Sequence, residues 1–158
     1  MSLQKHYYVN NKIFRGDSMK YNYNLIAVFD ESAEKLLFCR RRKEPFRGLY
    51  NFVGGKIETG EDGLAAAYRE LWEETGITSD DIELHSVMVL DYPLDSIHME
   101  AYAGRLNKPI EVHGDENELH WLPVTENFFD HTRFAGNGNV GHIIWEILQD
   151  RTINIAGR

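Results

Sequence analysis

The feature that most constrains the fold of this chain is a helical pattern within residues 55–77. Its apolar positions recur with the period of one helical face, at Leu64, Tyr68, Leu71 and Thr75. Asp62 precedes the pattern and suits a helix N-terminus, whereas Gly76 follows it and suits the left-handed position that ends many helices. The segment therefore predicts an amphipathic helix over residues 62–75.

The same helix carries three carboxylates close together. Glu70, Glu73 and Glu74 stand at i, i+3 and i+4, which places them on one face and apart from the apolar stripe. Like charges at this spacing cost roughly 0.2 to 0.5 kcal/mol per pair, and the helix dipole disfavours anions near the C-terminus. Arg69 offsets only part of that cost. A solvated acidic face is the simple interpretation, but the unfavourable charge favours a site for a hard divalent cation.

Two glycines stand between a β-favouring run and this helix. Gly54 and Gly55 can adopt backbone angles that other residues avoid, and they let a ligand approach the main chain. By itself such a pair is typical of an ordinary turn. Beside a helix that carries carboxylates, it predicts a loop next to a metal.

β-favouring runs lie on both sides of the helix, at residues 25–29, 36–38, 51–53, 82–90, 98–106 and 121–124. The first two runs are predicted to pair, as are 82–90 and 98–106. A second helix is predicted over 140–148, with Asn139 as its N-cap. Two helices can cover the two faces of one mixed sheet, so we predict an α/β (α+β) fold. We expect a single domain, residues 1–158, with 1–20 as a possible N-terminal extension.

The charge balance narrows the class of partner. The 25 acidic and 17 basic residues give a formal net charge of -8, which opposes binding to nucleic acid polymers because that binding neutralises phosphates with Lys and Arg. The first twenty residues contain no apolar run of the length that a signal peptide or membrane helix needs, so we expect no membrane partner. The single Cys39 lies in an apolar run and is expected to be a buried thiol in a reducing cytoplasm.

The segment from Gly55 to Ile77 resembles the Nudix box, the pattern GX5EX7REUXEEXGU in which U is aliphatic. The fixed positions are filled by Gly55, Glu61, Arg69, Glu70, Glu73, Glu74 and Gly76, and the aliphatic ones by Leu71 and Ile77. The resemblance implies an α/β/α sandwich with a mixed β-sheet. It also implies a Mg²⁺-dependent hydrolase, with Mn²⁺ as a possible substitute, that cleaves a diphosphate linkage in a small nucleotide.

The resemblance also implies roles for the residues of the box. Glu73 and Glu74 would be direct metal ligands, and Glu70 would be a third ligand or the group that orients the attacking water. The carbonyl of Gly54 would be a further ligand. Among the catalytic residues, Arg69 and Glu61 would pair to hold loop and helix in register.

Outside the box, three residues are candidates for substrate binding. Arg41 and Arg42 end a strand much as a basic pair does in the Nudix enzymes that sanitise oxidised dGTP, although a solvated strand end explains them equally well. Asn137 lies at a similar distance after Trp121 as an Asn that reads a purine in those enzymes. As a residue between Gly136 and Gly138, it is better explained by a turn.

Further candidates in the chain support weaker predictions. One of three acidic residues before Trp121 could add a metal ligand, namely Asp115, Glu116 or Glu118. Four aromatic side chains could stack on a base, although aromatics at such spacing mostly fill the core, namely Tyr50, Phe52, Phe128 and Phe134.

Three hypotheses for function follow from the sequence. The leading one is a nucleoside triphosphate pyrophosphatase that converts a substrate such as an oxidised purine dNTP to a monophosphate and pyrophosphate. The second is a pyrophosphatase for ADP-ribose or another nucleoside diphosphate derivative, for which Pro93 is a weak indication. The third is a Nudix-like ligand-binding module without catalysis, although such a loss usually breaks the box carboxylates. A homodimer is a possible assembly in this family.

Overall fold

A computed structural model describes residues 19–150, 153 and 155 of the chain. Within these residues, six strands and two helices follow one another as β1 Tyr21–Phe29, β2 Lys35–Arg40, β3 Tyr50–Asn51, α1 Gly63–Thr75, β4 His85–Tyr92, β5 Ile97–Arg105, β6 Glu118–Pro123 and α2 Asn139–Gln149. Residues 1–18, most of the predicted N-terminal extension, lie outside the described part.

The strands form one mixed sheet. Its order is β3-β2-β1-β5-β4, and β6 pairs with β2. Strands β1 and β5 run parallel along their whole length, whereas the other pairs of named strands are antiparallel. The predicted pairing of the first two strands, and that of β4 with β5, are confirmed. The predicted α+β class with a mixed sheet is confirmed as well.

The two helices cover opposite faces of the sheet because side chains alternate along β1. Ile26 belongs to a buried cluster that also contains Leu71 of α1. Phe29 faces the other way and belongs to a second cluster with Ile143 of α2. The molecule is therefore an α/β/α sandwich with an apolar core on each side of the sheet.

The segment after β3 leaves β2 and pairs with β1. The predicted strand 51–53 is assigned only at Tyr50–Asn51, because Val53 turns to form an isolated antiparallel bridge with Ile26. A second such bridge joins Lys56 to Tyr23. The two glycines between these bridges are thereby held directly beside the central strand.

Helix α1 begins and ends as its sequence predicts. The Asp62 side chain accepts a hydrogen bond from Ala65 N–H at 3.0 Å, which satisfies one of the free donors of the first turn. Gly76 adopts the left-handed conformation at φ 79°, and its N–H donates to the carbonyl of Trp72.

The predicted apolar stripe of α1 is only partly correct. Leu64 is 39% exposed, and the buried positions of the helix are Ala66, Ala67, Leu71 and Thr75. At about 100° per residue, Glu74 falls between the buried Ala66 and Ala67 in angle and is half-buried. The predicted separation of the carboxylates from the buried face is therefore wrong for Glu74, which points inward.

Helix α2 has a different N-cap from the predicted one. Gly138 is the N-cap, with φ 100° and no side-chain hydrogen bond, and Asn139 is the first helical residue. The Asn139 amide instead donates to the hydroxyl of Tyr92 on β4, so a tertiary contact takes the place of a cap.

In the described part of the chain, no helix has both the length and the apolar character needed to cross a membrane.

Candidate active site

The Gly54–Gly55 turn is in direct contact with the carboxylates of α1. Gly54 N–H donates to Glu74 Oε2 at 3.2 Å. The carboxylate of Glu70 lies against Gly55 so closely that a Cβ on that residue would overlap it. A side chain at Gly55 would have to displace the Glu70 carboxylate, so the turn and two of the box carboxylates form one packed unit.

Glu74 is a half-buried carboxylate among other carboxylates. Burial raises its pKa to about 7; the hydrogen bond from Gly54 N–H opposes this, and the charges of Glu70 and Glu116 add to it. The charge of Arg41 lowers the pKa by less. Among the described residues, no Lys or Arg forms an ion pair with Glu74, so its charged form lacks a close cationic partner.

Arg69 is the centre of an ion-pair network that joins three other residues of the box, Glu61, Glu70 and Glu73. It donates to both oxygens of Glu61, at 2.8 and 2.9 Å, and to Glu70 Oε1 at 2.7 Å. It also donates to Glu73 Oε2 at 3.2 Å and to the main-chain carbonyl of Lys56. The bonds from Arg69 hold the pKa of Glu61 at about 2. The predicted contact between Arg69 and Glu61 is present, while its role in catalysis stays a prediction.

The donor set fits a hard divalent cation. The box offers carboxylate oxygens together with the half-buried Gly54 carbonyl, to which nothing in the described residues donates a hydrogen bond, and Mg²⁺ prefers oxygen ligands of this kind. In the described residues, no three acidic, His or Cys side chains converge as a ready-made metal cluster, because Glu70 and Glu73 are turned to Arg69. Glu74 is the box carboxylate that would gain most from a cation.

A small pocket opens beside Glu74. It is lined by Cys39, Glu74, Glu116, Asn117 and Leu119. Of the three acidic residues considered as an extra ligand, Glu116 is therefore the one that shares a pocket with Glu74. All three are exposed, and Glu116 pairs with Lys43 at 3.7 Å while Glu118 pairs with His120 at 3.3 Å.

Cys39, which lines this pocket, is a buried thiol, as its apolar neighbours predict. It is 5% exposed, and its Sγ lies 3.6 Å from the carbonyl oxygen of Phe52. Burial, with a contribution from the charge of Glu74, raises the pKa of the thiol to about 12. The thiol is therefore neutral near pH 7 and is unsuited to be a nucleophile.

The two candidate arginines lie in different surroundings. Arg41 is half-buried, donates from Nε to the carbonyl of Pro45 at 2.7 Å, and is close enough for its charge to act on Glu74. Arg42 is exposed, and its main-chain N–H donates to the side chain of Asn117 at 3.1 Å. Arg41 is thus the better placed of the two to meet a phosphate near the box carboxylates.

The candidate residues for base recognition are less closely tied to the box. Asn137 is exposed and has φ 52° between two glycines of positive φ, the geometry of a turn. Three of the four candidate aromatics are buried and surround Phe38, namely Phe52, Phe128 and Phe134. Tyr50 is half-buried, 5.4 Å from the ring of His120, and it alone of the four keeps a partly exposed ring.

Two asparagines near the box were not singled out by any motif. Asn117 lines the pocket beside Glu74 and anchors the chain at Arg42. Asn24 contacts the Gly54–Gly55 turn from β1, where it is 1% exposed. The sequence gives little signal for Asn24, because β1 carries two amides, Asn22 and Asn24, among apolar and aromatic residues.

Comparison with known proteins identifies the family. A sequence profile of the NUDIX domain matches residues 20–140. The Mus musculus protein nucleoside diphosphate-linked moiety X motif 6 is 41% identical over 61 residues, which are 39% of this chain and 19% of that protein. The ADP-ribose pyrophosphatase of Methanocaldococcus jannaschii is 40% identical over 47 residues, 30% of this chain and 28% of that protein. The chain thus spans less than a third of the length of these relatives.

Solved structures agree in fold. A MutT structure from work on Aliivibrio salmonicida and Vibrio cholerae has a TM-score of 0.64 at 22% identity, over 82% of this chain and 98% of that one. A bifunctional NMN adenylyltransferase/ADP ribose pyrophosphatase from Francisella tularensis, complexed with AMP and a Mn ion, has a TM-score of 0.64 at 20% identity, over 82% of this chain and 41% of that one. With the profile spanning most of the sequence, the chain belongs to the Nudix hydrolase family.

Proposed function

We propose that this protein hydrolyses a diphosphate linkage in a small nucleotide with the help of a divalent metal ion. Enzymes of the Nudix family generally use divalent metal ions. The observation that carries the proposal is Glu74, a half-buried carboxylate that accepts a hydrogen bond from Gly54 N–H, is acted on by the charges of Glu70 and Glu116, and forms no ion pair with a Lys or Arg of the described residues. Such a group is costly to keep charged unless a cation binds beside it.

The residues of the box would bind the metal and orient the attacking water. Glu73, Glu74, Glu70 and the Gly54 carbonyl would hold the metal, for which Mg²⁺ is the first choice and Mn²⁺ the alternative. When bound, the ion neutralises charge on the diphosphate and lowers the pKa of water. If Glu70 is not a ligand, it would orient the attacking water and accept its proton. Water oxygen then bonds to one phosphorus, and the bond from that phosphorus to the bridging oxygen breaks.

Arg69 and Glu61 would position the metal-binding helix against its loop. Arg69 joins the loop at Glu61 and Lys56 to α1 at Glu70 and Glu73. A metal at the box would compete with Arg69 for Glu70 and Glu73, while the paired bonds to Glu61 can persist. We therefore assign Arg69 and Glu61 a structural part in catalysis.

For the substrate, we propose a nucleoside triphosphate such as an oxidised purine dNTP, giving the monophosphate and pyrophosphate. Arg41 beside Glu74 supports this choice because a planar guanidinium binds phosphate oxygens well. Arg42 would assist at the same loop. Asn137 and the partly exposed ring of Tyr50 are the groups that we propose for the base.

A second candidate is ADP-ribose or another nucleoside diphosphate derivative. The specific observation in its favour is the similarity to the ADP-ribose pyrophosphatase of Methanocaldococcus jannaschii. A third candidate, a Nudix-like module that binds a nucleotide without cleaving it, has less support because every carboxylate of the box is present.

We also propose that the enzyme works in the cytoplasm on a small substrate. The reduced, buried Cys39 is compatible with the cytoplasm, and the net charge of -8 supports a small nucleotide rather than a nucleic acid polymer as substrate. We propose that one domain carries the whole activity. A homodimer stays an expectation of the family resemblance.

A nucleotide panel assayed with Mg²⁺ tests the proposal. We expect pyrophosphate and a monophosphate from one or more triphosphates, with oxidised purine dNTPs compared directly with the ordinary ones. Excess EDTA should abolish the activity, and added Mg²⁺ or Mn²⁺ should restore it. AMP released from ADP-ribose alone would replace the leading substrate with the second candidate. Saturable nucleotide binding without any product would support the non-catalytic module.

A further inference from the structure

Asn24 is a buried polar residue in the middle of the central strand. It lies on β1 with 1% exposure, on the face of the sheet that α1 covers. Its Nδ2 makes no hydrogen bond among the described residues. Burying an unpaired donor is unfavourable, so the value of this amide must lie in its other atom, Oδ1.

Asn24 holds both main-chain polar groups of Gly55. Its own N–H donates to the Gly55 carbonyl at 2.8 Å, and Gly55 N–H donates to its Oδ1 at 3.0 Å. In a regular antiparallel ladder, the second bond would go to the main-chain carbonyl of the partner residue. Here the side chain takes that bond, so the peptide between Gly54 and Gly55 is rotated out of the regular ladder.

The rotated peptide determines where the Gly54 carbonyl points. The peptide bond is trans and planar, so its C=O and its N–H point in opposite directions. Since Gly55 N–H points to Asn24 Oδ1, the Gly54 oxygen points away from that side chain. No donor in the described residues bonds to this oxygen. The carbonyl is therefore kept free of the sheet.

We propose that Asn24 is a positioning residue that fixes the orientation of the Gly54–Gly55 peptide and thereby presents the Gly54 carbonyl as a metal ligand. This inference rests on the proposed metal-dependent function. Glycine permits many backbone conformations, and without the Asn24 acceptor the peptide between the two glycines loses the hydrogen bond that fixes the direction of its N–H. Gly54 also receives the main chain of Asn24 so closely that a Cβ would overlap it.

The same contact reaches the carboxylates of α1. Gly54 N–H donates to Glu74, and Gly55 packs against Glu70. Movement of the turn would therefore disturb two of the carboxylates that would hold the metal. Asn24 acts on the metal through the turn and makes no contact of its own with the diphosphate in this proposal.

Binding of Mn²⁺ alone, without nucleotide, tests the inference. Asn24→Leu removes the acceptor at similar volume, and Asn24→Ala removes it by truncation. We expect either variant to weaken Mn²⁺ affinity by about 10- to 100-fold, the range typical of residues that orient metal ligands. Asn24→Asp keeps an acceptor in the same place, and we expect it to lose less than about tenfold. Amide exchange of Gly55 in the metal-free protein should accelerate in the Leu and Ala variants.

Asn22→Leu is the matched control. Asn22 lies two residues earlier on β1, and its contact with the loop is a main-chain carbonyl that accepts from Ile57 N–H, which the substitution preserves. This variant should bind Mn²⁺ like the wild type. Folded Leu or Ala variants that bind Mn²⁺ as tightly as the wild type would overturn the role of Asn24 and leave the proposed function intact. A wild-type protein that binds no Mn²⁺ would overturn both.

Discussion

Glu74 and Arg69, five residues apart on α1, differ in whether their charged side chains have partners of opposite charge. Arg69 shares its guanidinium among Glu61, Glu70 and Glu73 at distances of 2.7 to 3.2 Å. Among the described residues, Glu74 has a single hydrogen-bond donor, Gly54 N–H, and no paired cation offsets its burial. Arg69 thus has its charged partners in the metal-free protein, whereas in the proposed function Glu74 would gain its partner from the metal.

At the residue scale, we predict that Glu74→Gln abolishes metal-dependent turnover without harming the fold. The amide can still accept Gly54 N–H but is a poor ligand for Mg²⁺, so kcat should fall by at least about 100-fold. Because the charged group is costly to bury, the melting temperature of the metal-free variant should not drop.

Glu111→Gln serves as the control for Glu74→Gln, because Glu111 is exposed and outside the box. It should keep wild-type turnover, which would show that loss of one acidic charge is not itself the cause. Full activity in Glu74→Gln would remove Glu74 from the metal site.

At the element scale, the β4–β5 hairpin contains a network of hydrogen-bonded polar side chains that the sequence patterns do not show. His98 lies between Asp91, at 2.6 Å from Nδ1, and Glu100, at 3.2 Å from Nε2. Glu100 also accepts from the Tyr102 hydroxyl and approaches the first residue of α1, Gly63, where a Cβ would overlap it. This network of side chains links the hairpin to the start of the helix that carries the box.

The contribution of His98 to stability should depend on pH. The bond with Glu100, joined by that with Asp91, raises the pKa of His98 above 6.5 despite partial burial, and the bond with His98 lowers the pKa of Glu100 below 4.5. The raised His98 pKa stabilises the fold below pH 6.5, and this stability is lost as the pH rises through the folded pKa. The Glu100 contribution is lost as the pH falls through its own folded pKa.

We therefore predict that His98→Gln lowers the free energy of unfolding more at pH 6 than at pH 9, as measured by urea titration. His113→Gln is the control, because His113 is exposed and its ring makes no bond in the described residues. An equal loss for His98→Gln at both pH values would contradict the charged role of His98.

At the scale of the whole molecule, one sheet separates two apolar cores. Leu71 of α1 is buried in one and Ile143 of α2 in the other, and the strands of the sheet contribute to both. Because four strands, β1, β2, β5 and β6, contribute side chains to both cores, we expect the described part of the chain to unfold as one cooperative unit.

The two cores should nevertheless differ in their effect on metal binding. We predict that Leu71→Ala and Ile143→Ala each destabilise the protein by about 2 to 5 kcal/mol and keep a single unfolding transition. Leu71 is buried one turn before Glu74 on the same side of α1, so its truncation should also weaken Mn²⁺ affinity. Ile143→Ala should leave that affinity unchanged. Equal loss of Mn²⁺ affinity in both variants would show that general destabilisation, and not local packing, controls the site.

Local sequence determined the elements and the chemical character of the site. Apolar periodicity, a capping Asp62 and a terminal Gly76 define α1, because these features act within a few residues of one another. The spacing of the box motif likewise identified the candidate carboxylates, because the motif lies within one short segment. The errors lie where a distant contact decided the outcome, as at Asn139, whose side chain bonds to Tyr92 on β4 and does not cap its own helix.

Only the tertiary structure decided which residues meet. Periodicity could not show that Glu74 points inward, since that depends on which side of α1 the sheet covers. The choice of Glu116 over its neighbours and the contact of Asn24 with Gly55 depend on chain segments that are far apart in sequence. Local patterns carry short-range energies, whereas burial and hydrogen bonding across strands are fixed when the sheet and its two helices assemble.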